Sequence, residues 1–368
     1  MKKSFADILK GVSDQQSKKV AVKLPEWAGT EGLVFPSALC LEQCSSTAAA
    51  LYKAGILART AGMTDVVDLT SGLGVDCWGF SREASHVTGF EANPELAAAS
   101  SANMKKLGAD NVEIRNGKVG PDSEIPRCGM IFADPARRDG AGKKVFLLED
   151  CSPNILELLP AIFSKAPLLL LKLSPMADIS MVADRLGRRL REVHIVSLKG
   201  EVKELLCLMD RDWDGDYCII VRELGVDGGE FRFSPSEERD AEARFIDSLE
   251  PGRLLYEPSS AMLKSGAFKL ICCRFGAAKL ARFTHLYQAG ETLPLGRCHE
   301  ILEVLPFGNA AIREAGRRYP TAEVTARNIP MSSEQLRAKL GVKSGTTDIH
   351  IFGCTALESK VLIVTRTL

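Results

Sequence analysis

The sequence predicts an α/β fold: a doubly wound, mostly parallel sheet followed by a smaller α+β unit. Three observations lead there. Short apolar runs at 65–69, 86–90, 129–133 and 168–172 alternate with longer helical patterns, as in successive βαβ units. The first run ends in Thr70-Ser71-Gly72-Leu73-Gly74, a small-residue turn before a helical stretch from Val75 to Glu83. A strand, a glycine turn and a helix N-terminus form a cradle for a nucleotide-like ligand. The second run is followed by Glu91, about 20 residues past the turn, where a ribose-binding carboxylate is expected.

The elements follow in order. Residues 1–21 are polar, with Phe5, Ile8 and Leu9 as apolar positions of a short leading helix. Leu24-Pro25-Glu26-Trp27 and Phe35-Pro36-Ser37 read as proline-punctuated loops. The alanine-rich stretch after Ser45-Ser46 predicts a serine-capped helix over 46–59. After the second strand, Asn93-Pro94 opens a helix over 95–107, with proline at its first position. Strands are expected at 112–115, ending in Asn116-Gly117-Lys118, and at 129–133, ending in Asp134-Pro135-Ala136-Arg137-Arg138. Pro153 opens a helix to Phe163, and a strand at 168–172 leads into Leu173-Ser174-Pro175. A helix at 179–189 and strands near 193–198, 205–209 and 217–222 complete the sheet. Residues 225–238 read as a hairpin or linker, and 260–289 as helical. The tail predicts strands at 299–306, 323–326, 349–355 and 360–366, with helices at 309–317 and 334–340.

Composition narrows the class. The 368 residues suffice for two or three domains. A hydrophobic fraction of 45% with 26% charged residues indicates a soluble globular chain. Formal net charge is zero, so any nucleic-acid site must be a local basic patch. The 11 cysteines form no Cys-x-x-Cys pair and the 5 histidines do not cluster in sequence, so free thiols, a cytoplasmic location and no metal are expected. No apolar run is long enough to span a bilayer, and no signal peptide is evident.

Two kinds of cofactor compete for the cradle. A dinucleotide site usually has a third glycine or alanine where this chain has Cys77, and Asp68 and Asp76 bracket the turn. Carboxylates would repel a pyrophosphate and suit a cationic or amino-acid-bearing ligand. A plain βαβ turn without a ligand is the alternative. The pattern resembles motif I of the class I S-adenosylmethionine-dependent methyltransferases. The resemblance implies a Rossmann-like doubly wound sheet of seven strands. It implies that Asp68, Ser71, Gly72 and Gly74 line the cofactor's methionine end and that Glu91 holds its ribose hydroxyls, with Thr70, Asp76, Asn93 and Asp134 also among the cofactor-binding residues. An acid near strand three often meets adenine in such enzymes, but Lys118 stands here, which leaves backbone groups or Asp122.

Asp134-Pro135-Ala136-Arg137-Arg138 falls where amino-methyltransferases carry Asp/Asn-Pro-Pro-aromatic. In that motif a side-chain oxygen and a backbone carbonyl accept two amino hydrogens, and proline fixes the turn. Here alanine replaces the second proline and arginine the aromatic, so Arg137 and Arg138 would hold a base face or a phosphate. Otherwise Asp134 caps a turn and the arginines are solvated. Lys172 ends the next strand and would approach the substrate or snorkel to the surface. Cys128 and Cys151 flank the motif, but no local signature marks either as a nucleophile.

Four stretches together resemble a bacterial methyltransferase family that ends in a THUMP-like domain. They are 41–46 (Leu-Glu-Gln-Cys-Ser-Ser), 134–138, 172–176 (Lys-Leu-Ser-Pro-Met) and 326–330 (Ala-Arg-Asn-Ile-Pro). The resemblance implies an N-terminal segment at 1–60, a methyltransferase domain at 61–225, a linker with a ferredoxin-like segment at 226–297 and a THUMP-like domain at 298–368. It implies S-adenosylmethionine as cofactor and RNA, above all tRNA, as substrate bound through residues 298–368. Arg313, Arg317, Arg318, Arg327, Arg337, Lys339 and Lys343 make that tail locally basic, although glutamates dilute the signal. A protein or small-molecule acceptor, and an RNA-binding protein with a relict cofactor fold, are the competing readings; a dehydrogenase ranks last.

Overall fold

The computed structural model describes residues 17–137, 148–226 and 229–368. Two compact units divide the chain, Met1–Val196 with Lys203–Tyr217, and Ser197–Val202 with Cys218–Leu368. The leading helix expected near Phe5, Ile8 and Leu9 lies outside the described residues; residues 17–23 are helical.

In the first unit, helices α1 (Ala38–Gln43) and α2 (Thr47–Thr60) start on serine caps: the Ser37 hydroxyl accepts the Cys40 N–H and the Ser46 hydroxyl the Ala49 N–H. The sheet is built from β1 (Val66–Asp68), β2 (Val87–Glu91), β3 (Val112–Asn116), β4 (Met130–Ala133), β7 (Leu168–Leu173), β8 (Leu190–Leu198) and β9 (Glu201–Asp210). A short pair, β5 (Ala136–Arg137) and β6 (Cys151–Ser152), lies between β4 and β7 in sequence. Within this unit the strand order is β8-β9-β7-β4-β1-β2-β3. Strands β1, β2, β3, β4 and β7 run parallel, and β9 pairs antiparallel with β7. Crossover helices α3 (Val75–Phe80), α4 (Pro94–Lys106) and α5 (Ile155–Lys165) join the parallel strands, and α6 (Ile179–Leu186) follows β7. The order reverses at β1, which opens a crevice beyond the carboxyl ends of β1 and β4, where doubly wound sheets bind ligands. Strands β4 and β7 are apolar and almost wholly buried, as a sheet covered on both faces requires. The segment before β1 belongs to this core: Val20, Leu24, Trp27, Leu41 and Ala50 cluster with Leu73, Val75, Trp78 and Met104.

In the second unit, β10 (Cys218–Leu224) and β11 (Glu230–Phe233) form an antiparallel pair, followed by α7 (Pro235–Asp240) with a Ser234/Glu237 capping box. Its remaining strands are β12 (Leu254–Pro258), β13 (Ala278–Ala281), β14 (Thr284–Ala289), β15 (Gly296–Pro306), β16 (Glu323–Arg327), β17 (Ile349–Ala356) and β18 (Ser359–Thr367). They form one sheet ordered β13-β14-β12-β15-β18-β17-β16. Helices α10 (Asn309–Arg318) and α11 (Ser333–Leu340) cover one face, with Ile312, Ala315, Leu336 and Leu340 against Ile351, Leu362 and Val364. Leu255, Leu286, Ile301, Phe352 and Ile363 form the core of the other face.

The helix expected over 260–289 is corrected. Two short helices, α8 (Ser260–Ser265) and α9 (Leu270–Phe275), are followed by the β13–β14 hairpin. Gly266 and Gly276 stop the helices in the left-handed conformation (φ +78° and +64°), and β14 then alternates as a half-buried strand.

Helices α10 and α11 touch through backbone. A Cβ on Gly316 would lie 1.8 Å from the Leu340 carbonyl oxygen, whereas one on Gly290 would meet nothing within 4 Å. Gly316→Ala is expected to destabilise the protein by about 1–3 kcal/mol through overpacking, and Gly290→Ala to be nearly neutral. Urea unfolding of the two variants measures the difference.

Candidate active site

The glycine turn is held from beneath by Asp68. This carboxylate is fully buried; Oδ1 accepts the Thr70 N–H at 2.8 Å and Oδ2 the Cys77 S–H at 3.3 Å. Burial pushes its pKa up to about 7, and the nearby Asp76 and Asp134 carboxylates add to the rise. Asp68 therefore shapes the turn and does not line the crevice. Gly74 caps α3 at φ +85°, and a Cβ there would strike the Ser100 hydroxyl at 2.3 Å, so glycine serves close packing under the turn. A Cβ on Gly72, at φ +54°, would instead meet only the Thr70 carbonyl oxygen, at 4.0 Å.

Glu91 leaves the end of β2 and uses one oxygen on the glycine turn and the other on the start of α4. Oε2 accepts the Gly72 N–H at 2.9 Å and Oε1 the Asn93 N–H at 2.7 Å. Asn93 caps α4, its side-chain oxygen accepting the Glu95 and Leu96 N–H groups. It is a capping residue, and the cavity wall here is Phe90, Glu91, Ala92 and Leu96. Beyond the end of β3, Gly117, Lys118 and Val119 contribute to the wall; Asp122 does not.

One cavity of about 870 Å³ unites the turn with the Asp-Pro segment. Thr70, Ser71, Gly72, Asp76 and Glu91 line one part, and Asp134, Pro135, Lys172 and Ser174 another. The Asp134 N–H donates to the Thr70 hydroxyl at 2.7 Å, which ties the two segments together. The Ser71 hydroxyl is buried and has no hydrogen-bond partner. Arg137 lies in β5, its backbone in register with Cys151 of β6, and Arg138 lies outside the described residues.

Beneath Asp134 runs a line of alternating charges. Asp134 Oδ2 pairs with Lys172 Nζ at 2.5 Å. Lys172 Nζ lies 3.8 Å from Glu204 Oε2, which meets Lys53 Nζ at 3.0 Å, and Lys53 pairs with Asp76 Oδ1 at 2.8 Å. The Ser45 hydroxyl donates to Asp76 Oδ2 at 2.8 Å and accepts from Lys53 at 2.9 Å. Burial alone would lower Lys172, but Asp134, Glu204 and Asp76 outweigh it and hold its ammonium above the usual lysine range. Burial likewise opposes charge on Asp76, yet Lys53 and Lys172 keep its carboxyl below the usual range.

Sequence reasoning missed Ser45, Lys53 and Glu204 as site residues. A signal existed for two of them: Lys53 falls on the apolar face of α2, with Ala49, Ala50 and Leu57, and Glu204 adjoins the buried run 205–209 of β9. Among the cysteines considered earlier, burial pushes Cys128 up to about 12, and Cys151 is fully buried. Neither lines the cavity.

The raised Asp68 makes a signed prediction. Its folded pKa of about 7 exceeds the ordinary carboxylate value of 3.8, so the folded state binds a proton more tightly than the unfolded chain. This group favours folding below the unfolded pKa, and its contribution is lost as pH rises through about 7. Asp68→Asn removes that pH dependence. The melting temperature of the variant relative to wild type is expected to climb between pH 4 and pH 7.5; a difference independent of pH would refute the assignment.

Comparisons with known proteins place this arrangement. A family profile described as "THUMP domain-like" matches residues 296–367, and one described as "ferredoxin-like domain" matches residues 254–294. No curated protein matches the sequence. The crystal structure of a candidate methyltransferase from Porphyromonas gingivalis W83 superposes with a TM-score of 0.85 at 31% identity, covering 96% of this chain and 88% of that one. A candidate class I S-adenosylmethionine-dependent methyltransferase from Listeria monocytogenes gives 0.40 at 9% identity, covering 56% and 72%. An rRNA methylase from Streptococcus thermophilus gives 0.32 at 16%, covering 43% and 93%. These two superpositions are too remote to bear on function. The identity and coverage shared with the P. gingivalis protein, together with the C-terminal match, decide the family: this chain belongs to the class I S-adenosylmethionine-dependent methyltransferases that carry a C-terminal THUMP-like domain.

Proposed function

We propose that the protein transfers a methyl group from S-adenosylmethionine to a base nitrogen of RNA, with tRNA as the leading substrate. The observation that carries this reading is the single cavity shared by the glycine turn with Glu91 and by Asp134-Pro135 with Lys172. The residues fit the cofactor. Gly72 lines the cavity without a side chain to crowd it, the Ser71 hydroxyl is without a partner, and Glu91 stands where ribose hydroxyls need an acceptor. When bound, the cofactor supplies an electrophilic methyl group on a sulfonium.

The chain's own residues account for the rest. Asp134 has Oδ2 on Lys172, which leaves Oδ1 to accept an amino hydrogen of the acceptor. The Pro135 carbonyl is a second acceptor from a rigid turn. Together they orient the nitrogen lone pair, and orientation is the larger part of catalysis in a direct displacement. Lys172, held as an ammonium, fixes Asp134 and presents positive charge to the cavity wall. Lys203, exposed on the same wall, is placed to meet a phosphate. A helical base would have to be flipped out to reach this depth.

RNA binding draws on the second unit. Arg313 and Arg317 are exposed beside a groove that Ala310, Gly316, Leu340, Gly341 and one acid, Glu314, also line. Arg318 and Arg327 are partly neutralised by Glu303 and Glu257, at 2.7 Å and 3.0 Å. The phosphate-binding face is therefore narrower than the basic residues of the tail suggest.

The deciding experiment is transfer of tritium from labelled S-adenosylmethionine into RNA taken from cells lacking this gene. A labelled tRNA-sized band that ribonuclease removes supports the reading. Label in protein or small molecules, or cofactor binding without transfer, would overturn it. Asp134→Ala is expected to lower transfer by about 10²–10⁴-fold while cofactor affinity by calorimetry stays close to wild type. Replacing Arg313 and Arg317 with glutamine is expected to weaken RNA binding and flatten its salt dependence by roughly one to two phosphate contacts, with cofactor affinity unchanged.

A further inference from the structure

The second unit gathers a set of metal-ligand groups that the sequence keeps far apart. Glu257 of β12, His299 of β15 and His350 of β17 place their ligand atoms within 4.8 Å of one another. All three are buried, at 6%, 0% and 1% exposure. The register explains the meeting. Leu255 pairs with His299 and Glu257 with Arg297, while His299 and His350 sit opposite Thr367 and Thr365 of the intervening β18. Each ring is anchored through one nitrogen. His299 Nδ1 lies 3.0 Å from the Thr367 hydroxyl and His350 Nε2 lies 2.8 Å from the Thr325 hydroxyl. Phe352 stacks on His350 with centroids 3.9 Å apart. The inward nitrogens, His299 Nε2 and His350 Nδ1, are buried without a hydrogen-bond partner. His299 Nε2 is 3.8 Å from a Glu257 oxygen, and His350 Nδ1 is 3.5 Å from a Glu323 oxygen.

Buried ring nitrogens facing carboxylates call for a positive partner. Arg297 supplies part of it. Its Nη2 meets Glu257 at 2.9 Å and its Nη1 meets Glu323 at 3.0 Å, so one guanidinium bridges the two acids. Arg327 holds the other Glu257 oxygen at 3.0 Å. Arg297 and Glu323 are about half exposed, at 50% and 52%, and can move.

We propose that Glu257, His299 and His350 form a binding site for a first-row divalent cation of the zinc type, with Glu323 as fourth ligand and Arg297 as the competing cation. Two imidazoles with carboxylates suit zinc and its neighbours better than magnesium or calcium. The threonines serve as the outer partners that orient metal-binding imidazoles: each can accept its ring's N–H and leave the inward nitrogen as a lone-pair donor. Bonds of about 2.0–2.2 Å require the ligands to draw in, which Glu323 does as Arg297 swings into solvent. Two carboxylates and Arg327 then leave one net negative charge to meet the ion. A cation there would staple β12, β15, β16 and β17 across the sheet.

The test uses the full chain, stripped with chelator and titrated with Co²⁺. The expected result is one equivalent bound, visible d–d absorption without a thiolate charge-transfer band, and displacement by Zn²⁺. His350→Gln and Glu323→Gln should each weaken binding by about tenfold or more, while Arg297→Gln should tighten it. The last two substitutions change half-exposed side chains, so they decide the matter even where a histidine variant fails to fold. Absence of stoichiometric binding, a thiolate charge-transfer band, or an affinity that Glu323→Gln and Arg297→Gln leave unchanged would overturn the proposal.

Discussion

The first unit depends on the buried ion pairs of Lys53. This side chain is fully buried, yet two carboxylates, Asp76 and Glu204, close on it at 2.8 Å and 3.0 Å. Stripping water from such groups is costly, and breaking a buried pair by removing one partner typically costs about 3–5 kcal/mol. Hydrophobic residues of similar volume could fill the space at no loss of stability. What they could not do is connect the first turn of α3 to the end of β7. Through Lys53 and Glu204, the helix that follows the glycine turn and the lysine that holds Asp134 share one electrostatic unit.

That arrangement explains why some of the site was legible in the sequence and some was not. The glycine turn, Glu91 and Asp134-Pro135 are encoded locally, by spacing within one strand–turn–helix or at one strand end, so their positions could be read without knowing the fold. Even there, roles within the turn were blurred. Asp68 and Gly74 look like ligand contacts in sequence, but Asp68 turns inward to Thr70 and Cys77, and Gly74 is needed for its packing against Ser100. Lys53 and Glu204 belong to segments about 150 residues apart, and only the antiparallel pairing of β9 with β7 brings them under Lys172. A charged residue inside an apolar pattern announces that a partner exists without saying where.

The same distinction holds in the second unit. Strands β15 to β18 and helices α10 and α11 carry clear periodicities and fall close to their expected positions. The stretch 260–289 reads as helical from apolar residues at Ile271, Phe275, Leu280 and Leu286, but only the first two are one helical step apart, and the breaks at Gly266 and Gly276 are single residues. The Glu257, His299 and His350 group was invisible for the reason that hid Glu204: its members meet only through strand register, and histidines 51 residues apart do not form a sequence motif.

A carboxylate at position 134 has a consequence for the proposed chemistry. Where related acceptor motifs allow aspartate or asparagine, the residue must accept hydrogens from the substrate, and an amide oxygen does that well. Here one oxygen is already committed to Lys172 at 2.5 Å. An asparagine could offer Lys172 only a neutral oxygen, leaving a largely buried ammonium to Glu204 at 3.8 Å. The charge on Asp134 therefore serves the protein before it serves the acceptor, and the two roles use different oxygens. A substrate amino group approaching Oδ1 meets a carboxylate held from beneath by Lys172, on a backbone that the Asp134 N–H bond to Thr70 anchors. That second contact roots the acceptor side in the glycine turn, so a shift of the turn on cofactor binding would move Asp134 with it. On the proposed reading, the cavity couples its cofactor and acceptor halves through two hydrogen-bonded atoms of one residue.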